Sequence, residues 1–150
     1  MELSMKSFTS PYNQDHPRDK NGRRQTRMIK SAKENNVAII AREPLANGFL
    51  TGKYNADSTF PPGDIRYNFP RNYFHGILGA AKKLQFLTTS TRTLAEACIR
   101  FALDHRDIST VIPGIKNPQQ AEENLKSSEL PALTGEELLR IKILREEGFV

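Results

Sequence analysis

A glycine-containing segment is the first candidate for binding chemistry. It runs from Pro44 to Lys53, directly after the apolar run Val37–Ala41, and is called the glycine loop. Its residues Gly48 and Gly52 allow backbone N–H groups to approach an anion closely. A phosphate loop of the Walker type is excluded, because the two glycines are one residue too close together and Tyr54 stands where a Mg²⁺-ligating Ser or Thr belongs. The segment therefore predicts anion binding in another arrangement.

A second candidate follows the next apolar run along the chain. Residues 113–117, called the lysine loop, contain Gly114 and Lys116 and end at Asn117, which a proline follows. Asparagine before proline predicts the N-cap and the first position of a helix. A glycine and a lysine beside a helix N-terminus predict a phosphate site, with ordinary capping on a polar surface as the alternative.

The helix that Asn117 opens carries polar side chains on one face. Gln120, Glu123 and Asn124 are three and four residues apart, so they project in the same direction. Amide and carboxylate groups can hydrogen-bond a base or a ribose. The alternative is again a solvated helix surface.

The elements that position these segments alternate between helix and strand. An alternation of this kind indicates an α/β protein with parallel strands, in which ligands bind beyond the carboxyl ends of the strands. The loop from Arg42 to Arg71 is long enough to be either functional or disordered. Two convincing strands cannot close a barrel, so the chain is predicted to be part of a larger fold with exposed strand edges that favour self-association. Apolar periodicity and caps predict helices at about 23–36, 73–86, 93–105 and 117–127, and strands at Val37–Ala41 and Ser109–Ile112. A capping box of Thr134 and Glu137 predicts the start of a last helix. The unbroken apolar run Val37–Ala41 is typical of a strand covered on both faces.

Composition excludes several classes of protein. The chain has 150 residues and a net charge of +5, and its one cysteine, Cys98, excludes an internal disulfide framework and a cysteine-rich zinc site. Cys98 lies on an apolar helix stripe and is predicted to be a core residue. No apolar run approaches the roughly 18 residues of a membrane span, and the first residues lack the apolar stretch of a secretory signal. We therefore expect a soluble, cytoplasmic protein without a metal site.

A run of positive charge extends from Arg18 to Lys33. Such a run permits binding to nucleic acid. No aromatic residue lies within it to stack on bases, so a solvated helix face is the favoured interpretation and nucleic-acid binding stays the alternative.

The two candidate segments together resemble the aldo-keto reductases. The pattern Pro-Leu-x-x-Gly-x-Leu-Thr-Gly-Lys begins at Pro44, and Ile-Pro-Gly-x-Lys-x-x-x-Gln-x-x-Glu-Asn-Leu begins at Ile112. The likeness covers about residues 11–146. It implies a TIM (β/α)8 barrel, of which this chain would hold approximately strands 6–8 with their helices, and an enzyme that uses NADPH to reduce carbonyl compounds by hydride transfer. Residues 1–22 would be irregular or a degenerate sixth strand, and residues 23–150 the NADP-binding C-terminal half.

The resemblance also implies which residues hold NADP(H). In the family, the loop after the seventh strand wraps the pyrophosphate, while the loop and helix after the eighth strand hold the 2′-phosphate and adenosine. A lysine facing the 2′-phosphate favours NADP over NAD. The positions matching the first role are Pro44, Leu45, Ala46, Gly48, Leu50, Thr51 and Gly52; those matching the second are Gly114 and Lys116 at the phosphate, with Gln120, Glu123 and Asn124 on the ribose and adenine.

Two segments would border the nicotinamide. Many members carry an aromatic residue just after the seventh strand, where this chain has Arg42. The planar guanidinium of Arg42 is expected to stack in its place, so Arg42 joins the cofactor-binding set. Tyr12 and Asn13 match the end of the sixth strand.

The family's catalytic Asp, Tyr, Lys and His come from its first four strands, which this chain does not match. His16, His75 and His105 lie in loop or helix contexts that do not replace them, so no catalytic residue is predicted. The chain is thus expected to be an NADP-dependent aldo-keto reductase or a truncated member that keeps the cofactor-binding half. A non-catalytic dinucleotide-binding or regulatory module is the alternative.

Overall fold

A small parallel sheet carries both candidate segments. The computed structural model describes residues 2–4 and 24–148, and in this part of the chain the sheet has the order β1 (Glu2–Ser4), β2 (Ile40–Arg42) and β3 (Thr110–Ile112). The predicted parallel pairing of the two apolar strands is confirmed, as is the α/β class. β1 pairs in parallel with β2 within the segment predicted to be irregular or a degenerate sixth strand. Tyr12, Asn13 and His16 lie outside the described residues.

Helices follow the strands at close to the predicted positions. The second begins two residues before its predicted start and ends three residues before its predicted end, where a short 3₁₀ helix replaces it. In the described ranges the α-helices are α1 (Arg24–Glu34), α2 (Arg71–Lys83), α3 (Leu94–Leu103), α4 (Pro118–Lys126) and α5 (Gly135–Glu146), and the 3₁₀ helices are Ala46–Thr51 and Gln85–Leu87. None of these helices is long and apolar enough to cross a membrane.

The predicted N-caps of the last two helices are confirmed. The side-chain oxygen of Asn117 accepts the N–H of Gln120 at 2.9 Å. At the start of α5, Thr134 and Glu137 form a reciprocal capping box, with contacts of 3.2 and 2.8 Å between each side chain and the other residue's N–H. Each cap satisfies N–H groups that would otherwise lack a partner at the helix start.

The main core lies between α2, α3 and the glycine loop. The apolar stripes of α2 and α3 are buried apart from Leu78 and Phe101, which pack against the core partly buried, and the loop adds a fully buried Phe49. Long-loop residues are therefore part of the core rather than a flexible connection. The buried members are Ala46, Phe49, Leu50, Tyr73, Phe74, Ile77, Ala81, Leu84, Leu87, Leu94, Ala97, Cys98 and Leu133.

The prediction that the apolar run Val37–Ala41 is a strand covered on both faces is wrong. The strand begins only at Ile40, and burial alternates: Ile39 and Ala41 are buried, while Val37 is 49% and Ile40 is 39% exposed. The physical reason is that the apolar packing around Ile39, with Ala32 of α1 and Ile108, lies on one face. Among the described residues, the other face has no such cover.

A half-buried ion pair on α3 holds the segment between α4 and α5 against that helix. Arg100 and Asp104 pair one turn apart, and Arg100 Nη1 donates to the carbonyl of Ser128 at 3.2 Å. Asp104 in turn accepts the N–H of Leu133 at 3.0 Å. These contacts tie α4, and with it the lysine loop, to the core.

Cys98 is the buried core residue that the sequence predicts, and burial raises the pKa of its thiol to about 12. Because the thiolate is the reactive form, we expect essentially no labelling of the folded chain by a thiol reagent near neutral pH. Unfolding in urea is expected to release rapid labelling of one thiol. Absorbance of the released chromophore measures both rates in the same sample, and rapid labelling before urea is added would contradict the assignment.

Candidate functional site

The glycine loop and the lysine loop leave neighbouring strands at the same level. Arg42, the last residue of β2, is paired with Ile112, the last residue of β3, in a parallel register. Because parallel strands end at the same edge of a sheet, the two loops emerge side by side. This is the position in which α/β proteins bind ligands.

The glycine loop folds into a tight, strained turn. Ala46 and Asn47 have φ values of 46° and 58°, and Gly48 continues the left-handed run at 87°. Left-handed backbone is unfavourable for a residue with a Cβ such as Ala46, and strain of this kind concentrates at functional sites. The turn is closed by the N–H groups of Gly48 and Leu50, which donate to the carbonyl of Leu45 at 2.9 and 3.2 Å.

Burial limits how several predicted residues of this loop can contact a ligand. The side chains of Pro44, Ala46 and Leu50 are buried, so a ligand would meet only their backbone. Leu45, Gly48 and Thr51 are half-buried and Gly52 is exposed. The Thr51 hydroxyl donates to the carbonyl of Gly48 at 2.6 Å and so belongs to the turn itself.

A cluster of aromatic rings anchors the loop. Phe49 lies at its centre, with ring centroids 5.4 Å from Phe74, 5.8 Å from Tyr54 and 6.0 Å from Phe60. The rings meet edge to face, an arrangement that adds to the hydrophobic contribution of burial. The predicted long loop is therefore ordered by its own side chains.

Two residues of the same long loop, Asp64 and Arg66, are not predicted by the motifs of the sequence. Arg66 forms a two-point ion pair with Asp64, at 2.8 Å from Nε and 2.6 Å from Nη2. Its Nη1 donates to the carbonyl of Asn47 at 3.2 Å and to the hydroxyl of Tyr54. The guanidinium also lies 4.3 Å from the ring centroid of Phe60. The signal in the sequence is an Asp-x-Arg pattern between aromatic residues of a long loop.

Two cations, Arg66 and Lys116, act on the carboxyl of Asp64. The side chain and backbone N–H of Arg66 hold the pKa of Asp64 well below its usual range, and the charge of Lys116 adds a smaller lowering. The charge of the lysine loop thus acts on the carboxylate that pairs with Arg66.

Acid is expected to weaken the folded chain through Asp64. A carboxyl whose pKa is lower in the folded chain than in the unfolded chain stabilises the fold at pH values above its unfolded pKa of about 3.9. This stabilisation is lost as the pH falls towards the folded pKa. Below about pH 4, we expect the urea concentration at the midpoint of unfolding to decrease as the pH falls. The decrease is expected to be smaller in Asp64→Asn. Circular dichroism during urea unfolding measures both chains, and equal pH dependence would contradict the prediction.

Glu137 also contributes to the acid sensitivity of the fold in both the wild-type chain and Asp64→Asn. Burial raises its pKa, but the Thr134 N–H and the ion pair with Arg92 outweigh burial and lower it. Glu137 is present in both chains, so its acid sensitivity cancels in the difference between them.

The lysine loop is braced by the helix that follows it. Gln120 Oε1 accepts the N–H of Lys116 at 2.9 Å, and Asn124 Nδ2 donates to the carbonyl of Gly114 at 3.4 Å. Glu123 accepts a hydrogen bond from Gln119 at 2.9 Å. Gln120 and Asn124 therefore hold the shape of the loop in this structure, and their contact with a ribose or adenine stays a prediction.

The described residues fit an anionic ligand at this edge. Gly114 and Lys116 are exposed, and no atom of the described residues lies within 4 Å of the place where a Cβ on Gly114 would be. The N-terminus of α4 adds partial positive charge beside them. In the glycine loop, the buried Nδ2 of Asn47 has no acceptor among the described residues. Open space, a cation and spare donors are what a phosphate group requires.

The remaining candidates are Arg42 and two histidines. Arg42 is exposed on the sheet and pairs with Glu43 at 3.5 Å, so its stacking on a nicotinamide stays a prediction. The ring of His75 packs against Phe74, and His105 accepts the N–H of Asp107. In the ranges described above, no group of three His, Cys, Asp or Glu residues is placed to hold a metal ion.

The chain belongs to the aldo/keto reductase family, whose family model matches residues 9–146. It is 33% identical to an NADP(+) aldo-keto reductase of Schizosaccharomyces pombe over 65% of the chain, and 31% identical to an aldo-keto reductase of Strobilurus tenacellus over 81%. A glycerol dehydrogenase structure from Gluconobacter oxydans superposes with a TM-score of 0.67 at 26% identity, over 80% of this chain and 37% of that one. The holo form of an aldo-keto reductase from Bacillus halodurans gives 0.54 at 25% identity, over 81% and 38%.

The chain spans about a third of the length of these relatives, since it covers 30% and 37% of the two curated proteins. Membership of the family confirms the resemblance of the two motifs. The activity of a whole aldo-keto reductase is a separate question for this chain.

Proposed function

We propose that the chain forms the NADP(H)-binding part of an aldo-keto reductase, and that it corresponds to approximately strands 6–8 of a (β/α)8 barrel. The observation that carries this proposal is the pair of loops at one sheet edge, with exposed Lys116 next to open space at Gly114 and the capped start of α4. The NADP(+) in the name of the Schizosaccharomyces pombe relative supports the choice of cofactor.

Each loop has a proposed part in holding the cofactor. Lys116 and Gly114 receive the 2′-phosphate, and the backbone of the glycine loop receives the pyrophosphate. Gln120, Glu123 and Asn124 border the adenosine, and Arg42 borders the nicotinamide. Bound NADPH supplies a hydride to a carbonyl compound in this chemistry; the residues of this chain bind and orient it.

Carbonyl reduction is proposed for the complete enzyme, which acts in the cytoplasm on a small carbonyl substrate. The proton donor of that reaction is proposed to lie on strands that this chain does not match. Self-association through exposed strand edges is also proposed. Among the described strands β2 is paired on both sides, so its edges are not exposed and the outer edges of β1 and β3 would carry the association. The exposed Ile40 and Ile112 would add apolar contact.

A titration of the purified chain with NADPH and with NADH tests the proposal. The chain has no tryptophan, so nicotinamide emission is free of a tryptophan donor. We expect saturable binding that is tighter for NADPH, and no turnover of a generic aldehyde above a heat-treated control. Absence of binding by a chain with a folded circular dichroism spectrum would reject the proposed function. Turnover by the chain alone would reject the placement of the proton donor elsewhere.

The alternative of nucleic-acid binding has little support from the described part of the basic run. Lys30 pairs with Glu34 at 3.7 Å, and Lys33 pairs with Asp107 at 3.9 Å. Acidic neighbours thus partly neutralise the charges of these two lysines, which lie on a solvated helix face as the favoured interpretation of the sequence predicts.

A further inference from the structure

Arg66 connects parts of the long loop that are far apart in sequence. Its guanidinium bonds to Asp64 two residues away, to Tyr54 twelve residues away and to the carbonyl of Asn47 nineteen residues away. It lies 4.9 Å from the ring centroid of Tyr54 and 4.3 Å from that of Phe60. A planar, forked cation suits this combination of carboxylate, carbonyl and ring faces better than a lysine would.

The acceptor that Arg66 reaches lies within the strained turn. Asn47 is left-handed, and its carbonyl comes directly before Gly48. A Cβ on Gly48 would come within 3.5 Å of the Tyr54 ring and 3.7 Å of Arg66 Nη1. The ring and the guanidinium therefore lie directly against the turn, where they oppose its relaxation to ordinary backbone conformations.

Asp64 keeps the guanidinium in place. Two of its oxygens accept from Nε and Nη2, and the backbone N–H of Arg66 donates to the same carboxylate at 2.9 Å. This leaves Nη1 directed to the Asn47 carbonyl and the Tyr54 hydroxyl. The pair is mostly buried, with 9% and 16% of the two side chains exposed, so its geometry is less subject to solvent competition than a surface pair.

We propose that Arg66, oriented by Asp64, is a positioning residue that holds the Ala46–Gly48 turn in the shape that receives the phosphates of NADP(H). This inference rests on the proposed function for its ligand. Its physical basis is pre-organisation: a loop already held in its bound shape does not lose conformational freedom on binding, so affinity is higher.

Loss of the Arg66 contacts is expected to loosen the Ala46–Gly48 turn before any ligand is added. In Arg66→Met the apolar stem remains but the fork is lost, and the hydrogen exchange of the Gly48 and Leu50 amides is expected to rise about tenfold or more. The Ala97 amide of α3, which donates to Thr93, serves as the internal reference and is expected to stay unchanged. NADPH dissociation constants are expected to rise about tenfold in the same variant.

Companion variants separate this role from a general loss of stability. Asp64→Asn is expected to raise amide exchange and weaken NADPH binding as Arg66→Met does, but by less. Arg66→Lys is expected to show the same faster exchange and weaker binding as Arg66→Met, because one ammonium group cannot make all the contacts of the guanidinium. Arg71→Met is the matched control: Arg71 lies in the same region but donates to the Ala56 carbonyl, not to the turn. We expect the control to match the wild-type chain in both measurements.

The outcomes distinguish the positioning role of Arg66 from the proposed binding of NADP(H). Unchanged exchange at Gly48 and Leu50 in Arg66→Met overturns the positioning role, as does a rise that is equal at Ala97. Selective loosening with unchanged NADPH affinity also overturns it, because the turn would then not matter for binding. If the wild-type chain binds no NADPH, the proposed function fails and the cofactor part of this inference fails with it, whereas the exchange result still decides whether Arg66 orders the turn.

Discussion

Replacing Phe49 by alanine is expected to lower the free energy of unfolding by about 3–5 kcal/mol, the usual cost of removing a buried aromatic side chain. Phe49 is fully buried and contacts Tyr54, Phe60, Phe69 and Phe74. The cavity left behind would lie between the glycine loop and α2, so the loop loses its anchor as the core loses packing. Because native domains are stable by only about 5–15 kcal/mol, a loss of this size is a large share of the total.

Urea unfolding followed by circular dichroism measures the effect, with Phe86→Ala as the matched control. Phe86 undergoes the same chemical change but is only half-buried, at the edge of the core against Arg140. Its loss is expected to be clearly smaller. If Phe49→Ala does not fold, Phe49→Leu, which leaves a smaller cavity, should still show a lowered midpoint. Equal losses at the two positions would show that the loop is not part of the main core.

The helices were the most predictable part of this fold because their signals are local. The stripe of α3 and the caps at Asn117 and Thr134 depend on residues three and four positions apart, and the structure confirms them. Local signals also located both candidate loops, since each directly follows an apolar run in the sequence.

The strands were harder because their partners are distant in sequence. The run Val37–Ala41 suggested burial on both faces, yet which face is covered depends on α1 and on the rest of the sheet. β1 has only three residues, too few for a periodic pattern, and its strand character comes from pairing with β2. No property of the residues in such a short segment marks it as a strand.

The supports of the candidate site were missed for a similar reason. Arg66 reaches Asn47 across nineteen residues of a loop that has no repeating pattern. Gln120 and Asn124 were interpreted as ligand-facing because they share a helix face, whereas they also hydrogen-bond the backbone of the lysine loop. Residue types and spacing identify groups able to bind a ligand, but not the groups that already use those atoms to hold a loop.

Reversing the charge of Lys116 is expected to have the largest effect on cofactor affinity. Two unit charges about 4 Å apart interact by about 1 kcal/mol in water and about 4 kcal/mol near a protein surface. Lys116→Glu replaces an attraction to the 2′-phosphate by a repulsion, so we expect NADPH to bind about a hundredfold more weakly. NADH lacks that phosphate, and its affinity is expected to change much less.

The control is Lys126→Glu, which makes the same charge change on an exposed residue at the other end of α4. Long-range electrostatics would affect both variants, whereas a direct contact with the phosphate affects Lys116→Glu alone. Added salt screens exposed charges, so the NADPH preference of the wild-type chain should fall as ionic strength rises. If Lys116→Glu weakens NADPH and NADH equally, Lys116 does not face the 2′-phosphate, and the choice between the two cofactors must be made by other residues.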